Sequence, residues 1–205
     1  RHIRDEDVKL LKQTIGIPLN FEMAATEEMV NFACQLNPAA VTLVPERREE
    51  LTTEGGLNLT LDSQSLTEKI GRLKDQGILV ALFVDPSIPM VEAAKELGAD
   101  AIECHTGDFC HKLAKVKKTE ECWQLAHELR EVTQRGADIG LQVHVGHGLN
   151  YQNAYWMQCL PVVEEANIGH AIISQAIFVG LNAAVMEMKK DRKSTRLNSS
   201  HQIIS

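Results

Sequence analysis

No apolar run in these 205 residues approaches the roughly 20 residues that a membrane-spanning helix needs. There is no CxxC spacing among the five cysteines, and five is an odd number. That pattern fits reduced thiols in a cytoplasmic protein better than a disulfide framework or a zinc site. Positive charge is in deficit, with a formal net charge of −7, which argues against a general nucleic-acid binder. No cluster of aspartates offers a second metal position. No Gly-rich dinucleotide turn follows the first strand pattern, so the fingerprint of a doubly wound nucleotide-binding sheet is missing. The chain also opens without Met, on Arg1-His2-Ile3-Arg4-Asp5, which is polar and unlike a secretory leader. The expectation is a piece of a longer protein.

What is present is ordinary globular chemistry: 44% hydrophobic and 24% charged residues, enough for one domain with a sizeable core. From Asp191 the composition changes. Arg192 to Ser205 is Ser-rich and basic, with no helical or strand period. The expected division is a domain over 1–190 and a disordered or artefactual tail over 191–205.

The body alternates short apolar runs with amphipathic ones. Strands are predicted at Ile17–Met23, Ala39–Val44, Gly77–Val84, Ala99–Cys104, Ile139–Val145 and Val163–Ile168. Helices are predicted at Asp5–Thr14, Thr26–Leu36, Asp62–Gln76, Val91–Leu97 and Thr119–Arg135, with a short one at Gln152–Leu160 and a closing one at Ala171–Lys189. Short strands, mostly apolar on both faces and separated by helices, read as a parallel sheet covered by helices. Six such strands behind a leading helix suit a (β/α)8 barrel whose first strand, first helix and second strand are cut away. A doubly wound open sheet is the competing architecture.

In such barrels the active site lies at the C-terminal ends of the strands. Here those ends are loaded: Glu22, then Pro45-Glu46-Arg47-Arg48, then Glu103-Cys104-His105-Thr106-Gly107, then His144-Val145-Gly146-His147-Gly148, then Asn167-Ile168-Gly169-His170. One such Glu or His is usually a surface residue, but five loaded ends together favour a single site. Glycines flank His147, letting backbone approach a ligand beside a proton-transfer group. Gly169-His170 opens the last helix, where backbone N–H groups suit a phosphate. Glu103, His105, His144 and His147 form a competing metal-ligand set, weakened by the spacing of His144 and His147 on a strand end. Cys104, Cys110 and Cys122 read as packing residues, as do Trp123 and Trp156.

Six motifs in order carry a resemblance: Asn20-Phe21-Glu22-Met23-Ala24, Leu43-Val44-Pro45-Glu46-Arg47-Arg48, Leu51-Thr52-Thr53-Glu54-Gly55-Gly56-Leu57, Glu103-Cys104-His105-Thr106-Gly107, Gly146-His147-Gly148-Leu149-Asn150-Tyr151 and Asn167-Ile168-Gly169-His170-Ala171-Ile172-Ile173. From Arg1 to about Lys190 the chain resembles the pyridoxine 5′-phosphate synthase family, the ring-forming enzymes of one vitamin B6 pathway. The resemblance implies a (β/α)8 barrel, a homo-octamer, and no metal or organic cofactor. It implies a transferase that condenses 1-deoxy-D-xylulose 5-phosphate with 3-amino-2-oxopropyl phosphate, giving pyridoxine 5′-phosphate, phosphate and water. By the matching motifs, Glu22 is a base, His147 an acid, and Glu103 the stabiliser of a charged intermediate. His2 and Thr52 hold the deoxyxylulose phosphate; Gly148, Gly169 and His170 hold the other substrate. The family's opening Asn-x-Asp-His strand is absent, and of its second strand end only Arg1-His2-Ile3 stands here. The 205 residues alone are therefore expected to be inactive and marginally folded. Two other readings stay open: another phosphate-binding barrel isomerase or aldolase, and an inactive gene fragment.

Overall fold

The structure, a computed structural model, describes residues 3–45, 55–60 and 63–193. Helix α1 (Asp5–Thr14) leads into strand β1 (Asn20–Ala24), α2 (Glu27–Leu36), β2 (Ala40–Val44), α3 (Ser63–Asp75), β3 (Leu79–Val84), α4 (Ile88–Glu96) and β4 (Ala101–His105). Then come α5 (Gly107–Lys115), α6 (Thr119–Asp138), β5 (Gln142–Gly146), a 3-10 helix (Ala154–Cys159), β6 (Val163–Asn167), α7 (His170–Val179) and α8 (Leu181–Lys193).

Local chemistry explains the element ends. The Thr26 hydroxyl accepts the Met29 N–H at 3.2 Å and starts α2. Asn37 ends that helix in the left-handed region (φ 51°), and Pro38 prevents its continuation. Pro89 sits in the first turn of α4, where its missing N–H costs nothing.

All six strands are parallel and stand in sequence order, β1 to β6. A doubly wound sheet reverses its order at a switch point; this sheet never does, so that architecture is excluded for the described strands. Crossovers of one hand in one direction place the helices on one face. There Val41, Leu43, Val80, Leu82, Val84, Ile102, Cys104, Val143 and Val145 are buried against α2, α3, α4 and α6.

The opposite face departs from the sequence expectation. The strands are not apolar on both sides. Register pairs Glu22 with Thr42, Phe83 with Glu103, Glu103 with His144, and His144 with Glu165, so these side chains share one face. Asn20, His105 and Asn167, two residues along their strands, lie on it too. Asn20 and Thr42 are hydrogen-bonded side chain to side chain at 3.1 Å.

The short helix expected at Gln152–Leu160 is of 3-10 type, Ala154–Cys159. Two elements differ from the sequence reading. Helix α5 is additional to it. The closing helix is two helices, broken at Gly180, whose φ of +82° an L side chain rarely adopts. Helix α8 runs to Lys193; residues 194–205, most of the expected tail, lie outside the described residues. All five cysteines are free, with Cys104 and Cys110 buried and Cys122 half-buried. Trp156 is buried, and Trp123, which is exposed on α6, meets it edge-on at 5.1 Å. Among the described residues no helix is long and apolar enough to cross a membrane.

Candidate active site

The polar face of the sheet opens, at the C-terminal strand ends, into a cavity of about 780 Å³. Its wall carries Glu22, Glu103, His147, Gly148, Gly169 and His170, delivered by the ends of β1, β4, β5 and β6. Six residues marked in the sequence as catalytic or substrate-binding thus share one cavity. The other two, His2 and Thr52, lie outside the described residues, as do Glu46, Arg47 and Arg48.

Glu103 is almost wholly buried, at 3% exposure, and its Oε2 accepts a hydrogen bond from Asn167 Nδ2 at 2.7 Å. Burial pushes its carboxyl up to about 8, the nearby Glu22 charge and then Glu165 add to the shift, and the Asn167 bond partly offsets it. Glu22 is exposed on the sheet's first strand, yet desolvation by the surrounding protein still raises its carboxyl above the ordinary 4.5. Desolvation lowers His147 below the ordinary histidine value. The site therefore holds two carboxyls biased toward the protonated form and an imidazole biased toward the neutral one. Such displaced groups suit proton transfer near neutral pH.

His147 adopts φ +73° and Gly148 follows at +79°. This tight turn aims the His147 ring across the mouth of β4, where it lies 4.8 Å from the His105 ring. His105 faces Asp85 at 3.5 Å through Nδ1, and burial lowers its pKa. Deeper on the same face, burial depresses His144 to about 4. Among the described residues, no three His, Cys, Asp or Glu side chains are grouped to hold a metal ion, so Glu103, His105, His144 and His147 are not gathered as a donor set.

Sequence reasoning passed over Asn167 and Asp85 as functional positions. Asn167 was quoted only as part of a motif, yet it ends β6 on the same face as Glu165, a position that strand parity alone marks. Asp85 directly follows β3, where its Oδ1 accepts the Gly56 N–H at 2.8 Å.

The buried Glu103 gives a stability prediction. Its folded pKa of about 8 lies above the ordinary 4.5, so between those values the native state holds a proton that the unfolded chain has lost. Stability falls as pH rises through that window. Glu103→Gln removes the loss. The variant is expected to melt several degrees above the parent above about pH 8, with the gap closing toward pH 4.5. Parallel melting curves at all pH values would refute the buried, protonated state.

The family described as "Pyridoxal phosphate biosynthesis protein PdxJ" matches residues 1–194. The chain is 49% identical over 189 residues to a pyridoxine 5′-phosphate synthase of Syntrophotalea carbinolica, covering 92% of this chain and 77% of that protein. It is 50% identical over 189 residues to the synthase of the same name from Synechococcus sp., covering 92% and 74%. In three dimensions it is similar to 3-keto-L-gulonate-6-phosphate decarboxylase from Vibrio cholerae, with a TM-score of 0.61, 10% identity, and coverage of 92% of this chain and 78% of that one. At that identity the likeness speaks for the fold alone.

Proposed function

The chain belongs to the pyridoxal phosphate biosynthesis protein PdxJ family, and on that premise we propose that it makes pyridoxine 5′-phosphate. The substrates are 1-deoxy-D-xylulose 5-phosphate and 3-amino-2-oxopropyl phosphate; the products are pyridoxine 5′-phosphate, phosphate and water. The observation that carries the reading is one cavity lined by Glu22, Glu103 and His147 together with Gly148, Gly169 and His170.

The condensation joins an amine to a ketone, after which C–H and O–H protons must move before the ring is aromatic. Groups on different sides of the substrate are needed. Glu22, on β1, takes protons as base. His147, which follows β5 and is neutral at rest, takes up a proton released earlier in the reaction and gives it to a departing oxygen. Glu103 lies between them in the sheet. At neutral pH it carries its own proton; a neutral imine beside it takes that proton on nitrogen, and the iminium formed pairs with the carboxylate left behind. Gly148 and Gly169 expose backbone N–H groups, and His170 opens α7; these bind the phosphate of 3-amino-2-oxopropyl phosphate. His2 and Thr52 hold the deoxyxylulose phosphate.

The proposal extends to architecture. The six strands are six of the eight of a (β/α)8 barrel, with the domain extending through α8 and a separate tail beyond Lys193. The complete enzyme is a cytoplasmic homo-octamer that uses no metal or organic cofactor.

The test is a product assay on the chain completed upstream with the corresponding segment of a curated relative. Both phosphorylated substrates are supplied with a chelator present. Pyridoxine 5′-phosphate and free phosphate are expected together. A folded protein that forms neither would overturn the reading and turn attention to phosphate-binding isomerases and aldolases.

A further inference from the structure

We propose that Thr106 is a positioning residue for His147, acting through the main chain; the inference rests on the acid role given to His147 above. Thr106 is fully buried at the point where β4 passes into α5. A threonine there would ordinarily cap the helix with its side-chain oxygen. This one makes no cap hydrogen bond. Its Oγ1 lies 2.8 Å from the Gly146 carbonyl and 2.7 Å from the His147 carbonyl, so its one proton is shared between them. Its backbone N–H donates to the same Gly146 carbonyl at 2.8 Å. The exit of one strand is thus tied twice to the exit of the next.

What the tie holds is an unfavourable conformation. His147 is one of two non-glycine residues with positive φ among the described residues, the other being the helix-ending Asn37. A residue bearing an imidazole at φ +73° is held in a sparsely populated conformation that persists only where its surroundings impose it. The carbonyl of His147 receives its hydrogen bond from Thr106. Without the hydroxyl, the peptide groups before and after His147 each lose a tether, so its φ can relax toward ordinary values and carry the ring away from the cavity.

The next residue completes the device. A Cβ on Gly107 would stand 2.8 Å from His105 Nε2 and 2.8 Å from His147 Cδ2. Only glycine leaves the slot in which the two rings lie 4.8 Å apart. Thr106 therefore clamps the backbone of His147, and Gly107 makes room for its ring.

The experiment uses the completed chain of the product assay. Thr106→Val keeps the shape and removes the proton donor. Turnover per folded protein is expected to fall roughly 10- to 100-fold, as for a small misplacement of a catalytic group. KM for both phosphates should change little. Thr106→Ser restores the hydroxyl and most of the rate. Should the valine variant not fold, Thr106→Ala, which leaves space for water, takes its place. The readout that a merely structural role would not move is the titration of the His147 ring by NMR, assigned with His147→Asn. In the parent it titrates below the ordinary histidine value; without the hydroxyl it moves back toward it. Unchanged turnover and titration in Thr106→Val or Thr106→Ala would overturn the inference, as would a serine variant no better than valine. If His147→Asn itself keeps full turnover, the acid role fails, and the ring titration still decides whether Thr106 positions it.

Discussion

In the chain completed upstream, replacing Gly146 by Ala should leave a folded protein whose turnover is more than about 100-fold reduced. A methyl group there would overlap Oε1 of Glu103 and stand 2.9 Å from its Cδ and 3.3 Å from Cβ of Asn167. Glu103 has little room to yield, being buried and held by Asn167 at 2.7 Å. It must rotate out of its place or the β4–β5 pair must part. The first outcome removes the group proposed to meet positive charge in the cavity; the second loosens the ladder that leads to His147. Overpacking of this kind costs roughly 1–3 kcal/mol, visible as a lower denaturant midpoint. A variant with both parental turnover and parental stability would show that Glu103 does not need its observed position.

Glu22→Gln is expected to lower kcat by about 100- to 10,000-fold, the usual worth of a positioned general base. KM should stay close to the parental value, because Gly148, Gly169 and His170, the described positions proposed to bind phosphate, follow β5 and β6. The pH profile carries a second expectation. A base works ionised, and desolvation raises Glu22 above the ordinary 4.5. Activity should therefore be lost as pH falls through a value higher than an exposed glutamate would give, and that acid limb should vanish in the glutamine variant's residual rate. Full turnover in Glu22→Gln would remove the base from the mechanism and leave Glu103 and His147 to share its work.

Much of the site could be read from the sequence because barrel-type sheets place function at one kind of position. The period-2 and period-3.6 patterns marked where strands stop, and the residues just at those stops were Glu22, Glu103, His147 and Asn167-Ile168-Gly169-His170. Parallel pairing followed from strands alternating with helices. The helix starts at Thr26 and the stop at Asn37-Pro38 depended only on neighbours in the chain. The motif resemblance then assigned roles that spacing alone left open between proton transfer and metal binding.

Other features depended on residues far apart in the chain. Helix α5 was missed because Gly107-Asp108 reads locally as a turn, while its buried Phe109 and Cys110 find their partners in distant elements. The break at Gly180 rests on a backbone angle that composition does not reveal. Which face of each strand meets the helices was decided by register, since Glu103 lies between apolar neighbours and could have been read as facing either way.

The sequence by itself determined the order of strands and helices, the chemistry carried at each strand end and the family of the chain, because these follow from local pattern and from residue identity. Only the tertiary structure decided that Glu103 is buried beside Asn167, 64 residues away, with the Glu22 charge also in range, and that its proton is therefore retained to about pH 8. Only it decided that Thr106 grips His147 across 41 residues. Desolvation and hydrogen bonding act through space, so the sheet's register, not the spacing along the chain, determines their strength.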